Sequence, residues 1–320
     1  VEIGGGSGFG SSEFVIERLD YYICNSGFID IDGNKIESVV SALKNTRKSK
    51  KPTVIIAKTL KGKGVSFLED KEGWHGKALS REEYDKAIAE LGEFDMFLQG
   101  EVAKPESHYP HDMEPRPVNE ITYSSKPLAT RKAYGDALVR LYPKFPAMVV
   151  LDAEVSNSTY AEKFKEKYPD RFFEMYIAEQ NMVGTALGLS RRGKIPFVST
   201  FAAFFSRAFD QIRMTQYADS NIKFVGSHSG VSIGEDGASQ MGLEDIALFR
   251  TLYGGVVLYP ADKVATERLV EEAAHHKGNV YIRTTRQDTP ILYDASEKFP
   301  IGGSKIVKES TEDAVTVIAA

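Results

Sequence analysis

An α/β fold built on a doubly wound parallel sheet is the architecture this sequence predicts, and three observations predict it. From Ala129 onward, apolar runs of strand length alternate with segments of helical periodicity, the order that crossovers between parallel strands produce. Runs such as Thr53-Val54-Ile55-Ile56-Ala57 are continuous and β-branched, as strands covered on both faces are. The glycine-rich, polar and charged stretches follow strand ends, where sheets of this kind bind ligands.

The 320 residues are long enough for about two domains, and 42% hydrophobic residues supply their cores. No run approaches the roughly 18 apolar residues of a membrane span, and the front carries no secretory signal pattern, so no membrane partner is expected. A formal net charge of −5 argues against a nucleic-acid partner. Cys24, the single cysteine, rules out an internal disulfide and a multi-cysteine metal site, and agrees with a cytoplasmic location.

Taken in order, residues 1–13 are glycine-rich without phosphate-loop spacing and are expected to be a leader or linker. Phe28-Ile29-Asp30-Ile31 alternates like a strand, Asp32-Gly33-Asn34 turns, and Lys35 to Leu43 has helical periodicity. The run from Thr53 to Ala57 is expected to be a buried parallel strand. Ser80-Arg81-Glu82-Glu83 fits a capping box that starts a helix. From about Phe97 to Pro127 five prolines break the pattern, as in a linker; they also exclude a regular helix that would join His108 and His111 around a metal. Beyond it the predicted order is helix 129–141, strand 147–151, helix 159–168, strand 172–176, a helix from 179, strand 195–199 and a helix from 201. Strands near 222–226, 255–259 and 279–283 follow, with a helix between Asp262 and His276. The apolar run Ala314-Val315-Thr316-Val317-Ile318 is expected to begin a further unit.

Glu179 stands where a strand hands over to a helix, in Tyr176-Ile177-Ala178-Glu179-Gln180-Asn181. Its apolar neighbours Ile177, Ala178, Met182 and Val183 predict poor hydration, which raises a carboxyl pKa and lets it share a proton near neutrality. Phe201 and Phe204, just past a strand end, are placed to form an apolar slot for a flat heterocycle. The loop Gly226 to Gln240 is long and polar, with His228 as a cation or donor, Asp236 as an acceptor and Gln240 as an amide, a set suited to hydroxyl recognition. Arg131, Ser158 and Arg286 fall at ends expected to share one sheet edge, where two arginines and a hydroxyl would make a phosphate site. Lys58-Thr59-Leu60-Lys61-Gly62-Lys63-Gly64 sets cations on a bendable backbone after a strand, which suits an anion.

These stretches, together with Glu72-Gly73-Trp74-His75-Gly76 and the run from Ser199 to Arg213, resemble transketolase, more narrowly the animal-type and related bacterial enzymes. The likeness runs from roughly Gly27 to the end. It implies thiamine diphosphate chemistry, with Mg2+ or Ca2+, moving a two-carbon ketol group between sugar phosphates in a homodimer. It implies that Glu179 hydrogen-bonds the cofactor's aminopyrimidine and promotes its imino form. Phe201 and Phe204 match positions that pack that ring, and Arg131, Ser158, His228 and Arg286 match those that hold the sugar phosphate. Asp236 matches a position that reads a substrate hydroxyl; Lys61, His75 and Gln240 match positions near the cofactor and reacting carbons. Glu154 stands where relatives often carry Asp near the thiazolium. The metal-binding Gly-Asp-Gly motif has no counterpart, so the metal ligands are expected outside this chain, which alone is expected to bind cofactor poorly and be inactive. The resemblance divides the chain into an unassigned leader at 1–27 and the end of the diphosphate-binding domain at 28–96. A linker at 97–127, the pyrimidine-binding domain at 128–296 and the start of a third domain at 297–320 follow. A non-catalytic dimerising or binding module and a sister thiamine-dependent sugar-phosphate synthase stand as alternatives.

Overall fold

The computed structural model describes residues 27–50, 53–74, 77–92, 97, 100, 114–121, 125–306 and 308–317. The chain divides into two compact units, Val1–Lys104 and Pro105–Ala320.

In the first unit, β1 (Gly27–Asp32) pairs in parallel with β2 (Thr53–Lys58), Phe28 opposite Val54. Helix α1 (Ile36–Thr46) is the crossover between them. The expectation that Thr53–Ala57 is buried is corrected, because its residues are half-buried to exposed. Among the described residues β2 pairs with β1 alone, and a two-stranded sheet has too few neighbours to cover both faces. Helix α2 (Arg81–Leu91) carries the predicted capping box: Ser80 Oγ accepts from the Glu83 N–H at 3.2 Å, and Glu83 Oε2 accepts from the Ser80 N–H at 2.8 Å.

The second unit is organised by six parallel strands: β4 (Met148–Asp152), β5 (Phe172–Glu174), β6 (Ile195–Phe201), β7 (Lys223–Ser227), β8 (Val256–Leu258) and β9 (Val280–Arg283). Their order is β5-β4-β6-β7-β9-β8. The chain runs outward from β4 to β5 and then returns to the other side of β4 with β6, so the strand order reverses there. The short β3 (Leu128–Ala129) pairs antiparallel with β10 (Asp288–Thr289) and ties the start of α3 (Thr130–Leu141) to the segment after β9.

Alternation along β4 splits the core into two layers. Met148 and Val150 pack with Tyr134, Leu138 and Leu141 of α3 and Val270 of α8 (Lys263–His275). Val149 and Leu151 pack with Met182 of α6 (Glu179–Arg191), Phe205 and Ile212. Helices thus cover both faces, and the strands' carboxyl ends form the free edge.

Three expected elements differ. The helix placed at 159–168 is two short helices, α4 (Ser156–Thr159) and α5 (Glu162–Lys167), parted at Tyr160, whose φ of 64° no helix contains. The helix expected from 201 begins as a 3₁₀ segment, Ala202–Ala208, before α7 (Phe209–Thr215). Residues 314–317 form no strand, and Val315 and Val317 are exposed, because among the described residues no strand pairs with them.

Candidate active site at the carboxyl edge of the sheet

Glu179 opens α6 and is buried, 4% exposed. An uncompensated carboxylate there would be costly. The compensation comes from Arg207, which donates to Glu179 Oε1. Gln180 Nε2 in turn donates to the Arg207 carbonyl at 3.1 Å and anchors that backbone.

The 3₁₀ winding explains what Arg207 does next. With three residues per turn, every third side chain is eclipsed, so Phe201, Phe204 and Arg207 form one row. The Phe201 and Phe204 rings stack at 5.0 Å between centroids and 10° between planes. The two rings touch each other and leave no room for a third between them. Each also carries another flat group. His228 stacks on Phe201 at 3.9 Å, and the Arg207 guanidinium lies over Phe204 at 4.3 Å.

His228 follows β7, is buried, and has its Nδ1 3.0 Å from Ser227 Oγ. Burial first, and the Arg131 charge second, push its pKa down to about 4. It is neutral at pH 7, a hydrogen-bonding group rather than a cation.

Arg131 donates from Nη1 to the Ser158 carbonyl at 2.7 Å and from Nε to the Arg286 carbonyl at 3.4 Å, with Tyr160 beneath it at 5.2 Å. The two arginines and Ser158 therefore share one rim. Gly135 permits this close fit, since a Cβ there would run into the Tyr160 carbonyl. Arg286 donates to Asp236 Oδ2 and Glu235 Oε1, both at 3.1 Å, and to the Ile233 carbonyl. Half-buried Gln240 ends a 3₁₀ turn in the same loop. Glu154, exposed after β4, donates its N–H to Glu174 Oε1 at 3.0 Å. Lys61 is exposed in the other unit, where it lines a cavity of about 160 Å³ with Trp74 and Lys77. His75, His108 and His111 lie outside the described residues.

Four non-glycine residues of this edge have left-handed backbones: Glu154 (φ 62°), Tyr160 (64°), Tyr176 (53°) and His228 (56°). Such strain gathers where ligands are held, and it has no sequence signal. Sequence reasoning also missed Arg207, which a 3.6-residue period places off the face of Phe201 and Phe204. Asp152, at the end of β4, was missed too. Its carboxyl accepts from the Val155 N–H and from Thr159 Oγ1, both at 2.7 Å, and so shapes the turn that carries Glu154 and Ser158. Burial is the main reason its pKa rises to about 7.

A larger cavity of the second unit, about 440 Å³, lies at the far end of α3 among Arg116, Arg140, Lys144, Arg268 and Glu271. Its lining is engaged in ion pairs, such as Lys144 with Glu271 at 2.6 Å, and it shares no residue with the rim. Among the described residues no three His, Cys, Asp or Glu side chains gather as a metal site, and no helix is long and apolar enough to cross a membrane.

Residues 126–291 match the family description "Transketolase, pyrimidine binding domain", and residues 2–104 match "Transketolase, thiamine diphosphate binding domain". The chain belongs to the transketolase family. The second match takes in most of the stretch expected to be an unassigned leader. Transketolase from Homo sapiens is 46% identical over 300 residues, which are 91% of this chain and 47% of the human protein. Transketolase-like protein 1 from Macaca fascicularis is 44% identical over 300 residues, 91% of this chain and 50% of its own length. The chain thus spans about half the length of these curated relatives. Among solved structures, transketolase from Campylobacter jejuni superposes with a TM-score of 0.75 at 21% identity, over 95% of this chain and 52% of that one, which shows the fold alone. A structure described as a split gene transketolase, inactive beta4 tetramer, is 45% identical, with a TM-score of 0.52, over 57% of this chain and 60% of that one.

Proposed function

We propose that this protein moves a two-carbon ketol group from a ketose phosphate such as xylulose 5-phosphate to an aldose phosphate such as ribose 5-phosphate, as a cytoplasmic, homodimeric enzyme of the pentose phosphate pathway. Thiamine diphosphate, bound with Mg2+ or Ca2+, would supply a nucleophilic carbon for the transfer. The residues fit that group, and the observation that carries the reading is the surrounding of Glu179. A buried carboxylate beside a stacked aromatic pair already holds a flat, cationic, N–H-donating group, the Arg207 guanidinium.

In this reading Glu179 holds and releases a proton at a ring nitrogen of the cofactor, while Phe201 and Phe204 exclude water from that contact. Arg131, Ser158, His228 and Arg286 grip the sugar phosphate, the arginines by charge and neutral His228 by hydrogen bonding. Asp236 accepts from a substrate hydroxyl, Glu154 and Gln240 face the reacting end, and Lys61 and His75 keep the cofactor roles that the resemblance implies. The domain limits at 28–96, 97–127 and 128–296 belong to the same proposal.

The test is calorimetric titration of the chain with thiamine diphosphate and magnesium, with and without a separately supplied diphosphate-binding domain. Cofactor uptake and ketol transfer are expected once that domain is added. Glu179→Gln should then lower turnover roughly 100-fold or more while sugar-phosphate binding persists. Uptake without any ketol transfer, or no uptake at all, rejects the reading.

A further inference from the structure

Arg207 has no part in the residue set that the sequence assigned to this rim, yet it touches both Glu179 and the stacked aromatic pair. Its guanidinium donates to buried Glu179 and lies over Phe204 at 4.3 Å. A flat cation that donates N–H to a carboxylate while resting on an aromatic face has the recognition chemistry of a protonated aminopyrimidine. We infer that Arg207 is a cofactor-site residue that competes with the aminopyrimidine for one place, so that the cofactor enters by exchange and Glu179 passes from one N–H donor to another. This rests on the reading of the rim as a thiamine diphosphate site.

The physical chemistry favours exchange over a fixed wall. The Glu179 side chain is 4% exposed, whereas that of Arg207 is 49% exposed, so the arginine reaches water by rotating its own stem. Its backbone need not follow, since Gln180 holds the Arg207 carbonyl at 3.1 Å. Glu179 is never left as a bare buried charge, because the incoming donor replaces the outgoing one. Nor does the row offer another open ring, since Phe201 already lies between Phe204 and His228. The device also selects its ligand. Only a flat group with a donor aimed at Glu179 replaces what Arg207 supplies; an aliphatic amine or a neutral ring without a donor does not.

The experiment compares wild type, Arg207→Met, which keeps an unbranched apolar side chain without the charge, and Arg207→Ala, all in the intact protein, after melting curves show that each is folded. Thiamine diphosphate with magnesium is titrated calorimetrically into each in the presence of the separately supplied diphosphate-binding domain. Both variants should bind at least about fivefold more tightly than wild type, the release of one half-exposed ion pair. As a second readout, the guanidinium nitrogen resonance of Arg207, assigned by its loss in the variants, should move from a carboxylate-paired to a solvent-exposed position as cofactor is added. Equal or weaker binding by both variants, or a resonance that stays put while wild type binds, overturns the inference and leaves the functional reading intact. If wild type takes up no cofactor, the functional reading falls and this inference with it.

Discussion

Arg283 and Arg286 leave the end of β9 within one turn of chain, and they are held in opposite ways. Arg283 is 8% exposed, and its partner Asp245 is 2% exposed. Nε donates to Asp245 Oδ2 at 2.8 Å, Tyr281 Oη donates to the same oxygen at 2.6 Å, and Nη2 reaches the Gly242 carbonyl at 2.9 Å. Arg286 pairs instead with Asp236 and with Glu235, whose side chain is 84% exposed. A charge whose partner is buried cannot leave it without stranding that partner unless another donor takes its place; a charge whose partner sits in water can. The inner layer therefore fixes the shape of the rim, and the outer lip keeps charges that a ligand can take over.

The sharpest way to break this contrast is to remove one carboxylate from each layer. Asp245→Ala strands Arg283 and Tyr281 and should cost about 3–5 kcal/mol of stability in chemical denaturation. Glu235→Ala should leave the melting temperature unchanged and tighten inorganic phosphate binding about two- to threefold, because Arg286 loses an exposed competitor. Equal destabilisation by the two would erase the distinction.

Asp152 tests the inner layer by pH. Its folded pKa, about 7, lies above the ordinary 3.8, so the folded state holds the extra proton between these values. Its contribution to stability is full below about pH 4 and is lost as pH rises through about 7. Asp152→Asn keeps an acceptor for Val155 and offers Thr159 a donor, as the protonated acid does, without titrating. Relative to wild type it should gain stability from pH 4 to pH 8, by up to about 4 kcal/mol. A constant difference across that range would show that the carboxyl is ionised throughout.

The smallest effect concerns His228, which lies between the layers. Its ring resonances should not titrate between pH 6 and 8, since its pKa is near 4. Arg131→Gln should raise that midpoint by less than about one unit, because burial, not the arginine, is the larger cause. A larger rise would show that the Arg131 charge outweighs burial in keeping the ring neutral.

Much of this arrangement is legible in the chain itself. The handover at Glu179, the strand at Met148–Asp152 and the capping box at Ser80 stand close to where period and cap chemistry put them, because those signals act within a few residues. The run at Thr53–Lys58 shows the limit. It reads like Met148–Asp152, yet one is half-buried and the other wholly buried, and among the described residues what differs is the number of neighbouring strands. Arg207 shows a second limit, since an arginine three residues after a phenylalanine signals nothing until the backbone is known to wind as 3₁₀.

By itself, the sequence determined an alternating α/β chain of the transketolase family, an acid at the head of α6, and arginines at strand ends, all properties of local pattern and residue chemistry. Tertiary structure alone decided that Arg131 would reach Ser158 and the Arg286 carbonyl, and that one guanidinium would meet both Glu179 and Phe204. It also decided which charges are locked and which can be lent. The reason is that burial and pairing depend on which strands lie side by side, and β4 lies beside β6 only because the chain reverses direction across the sheet after β5.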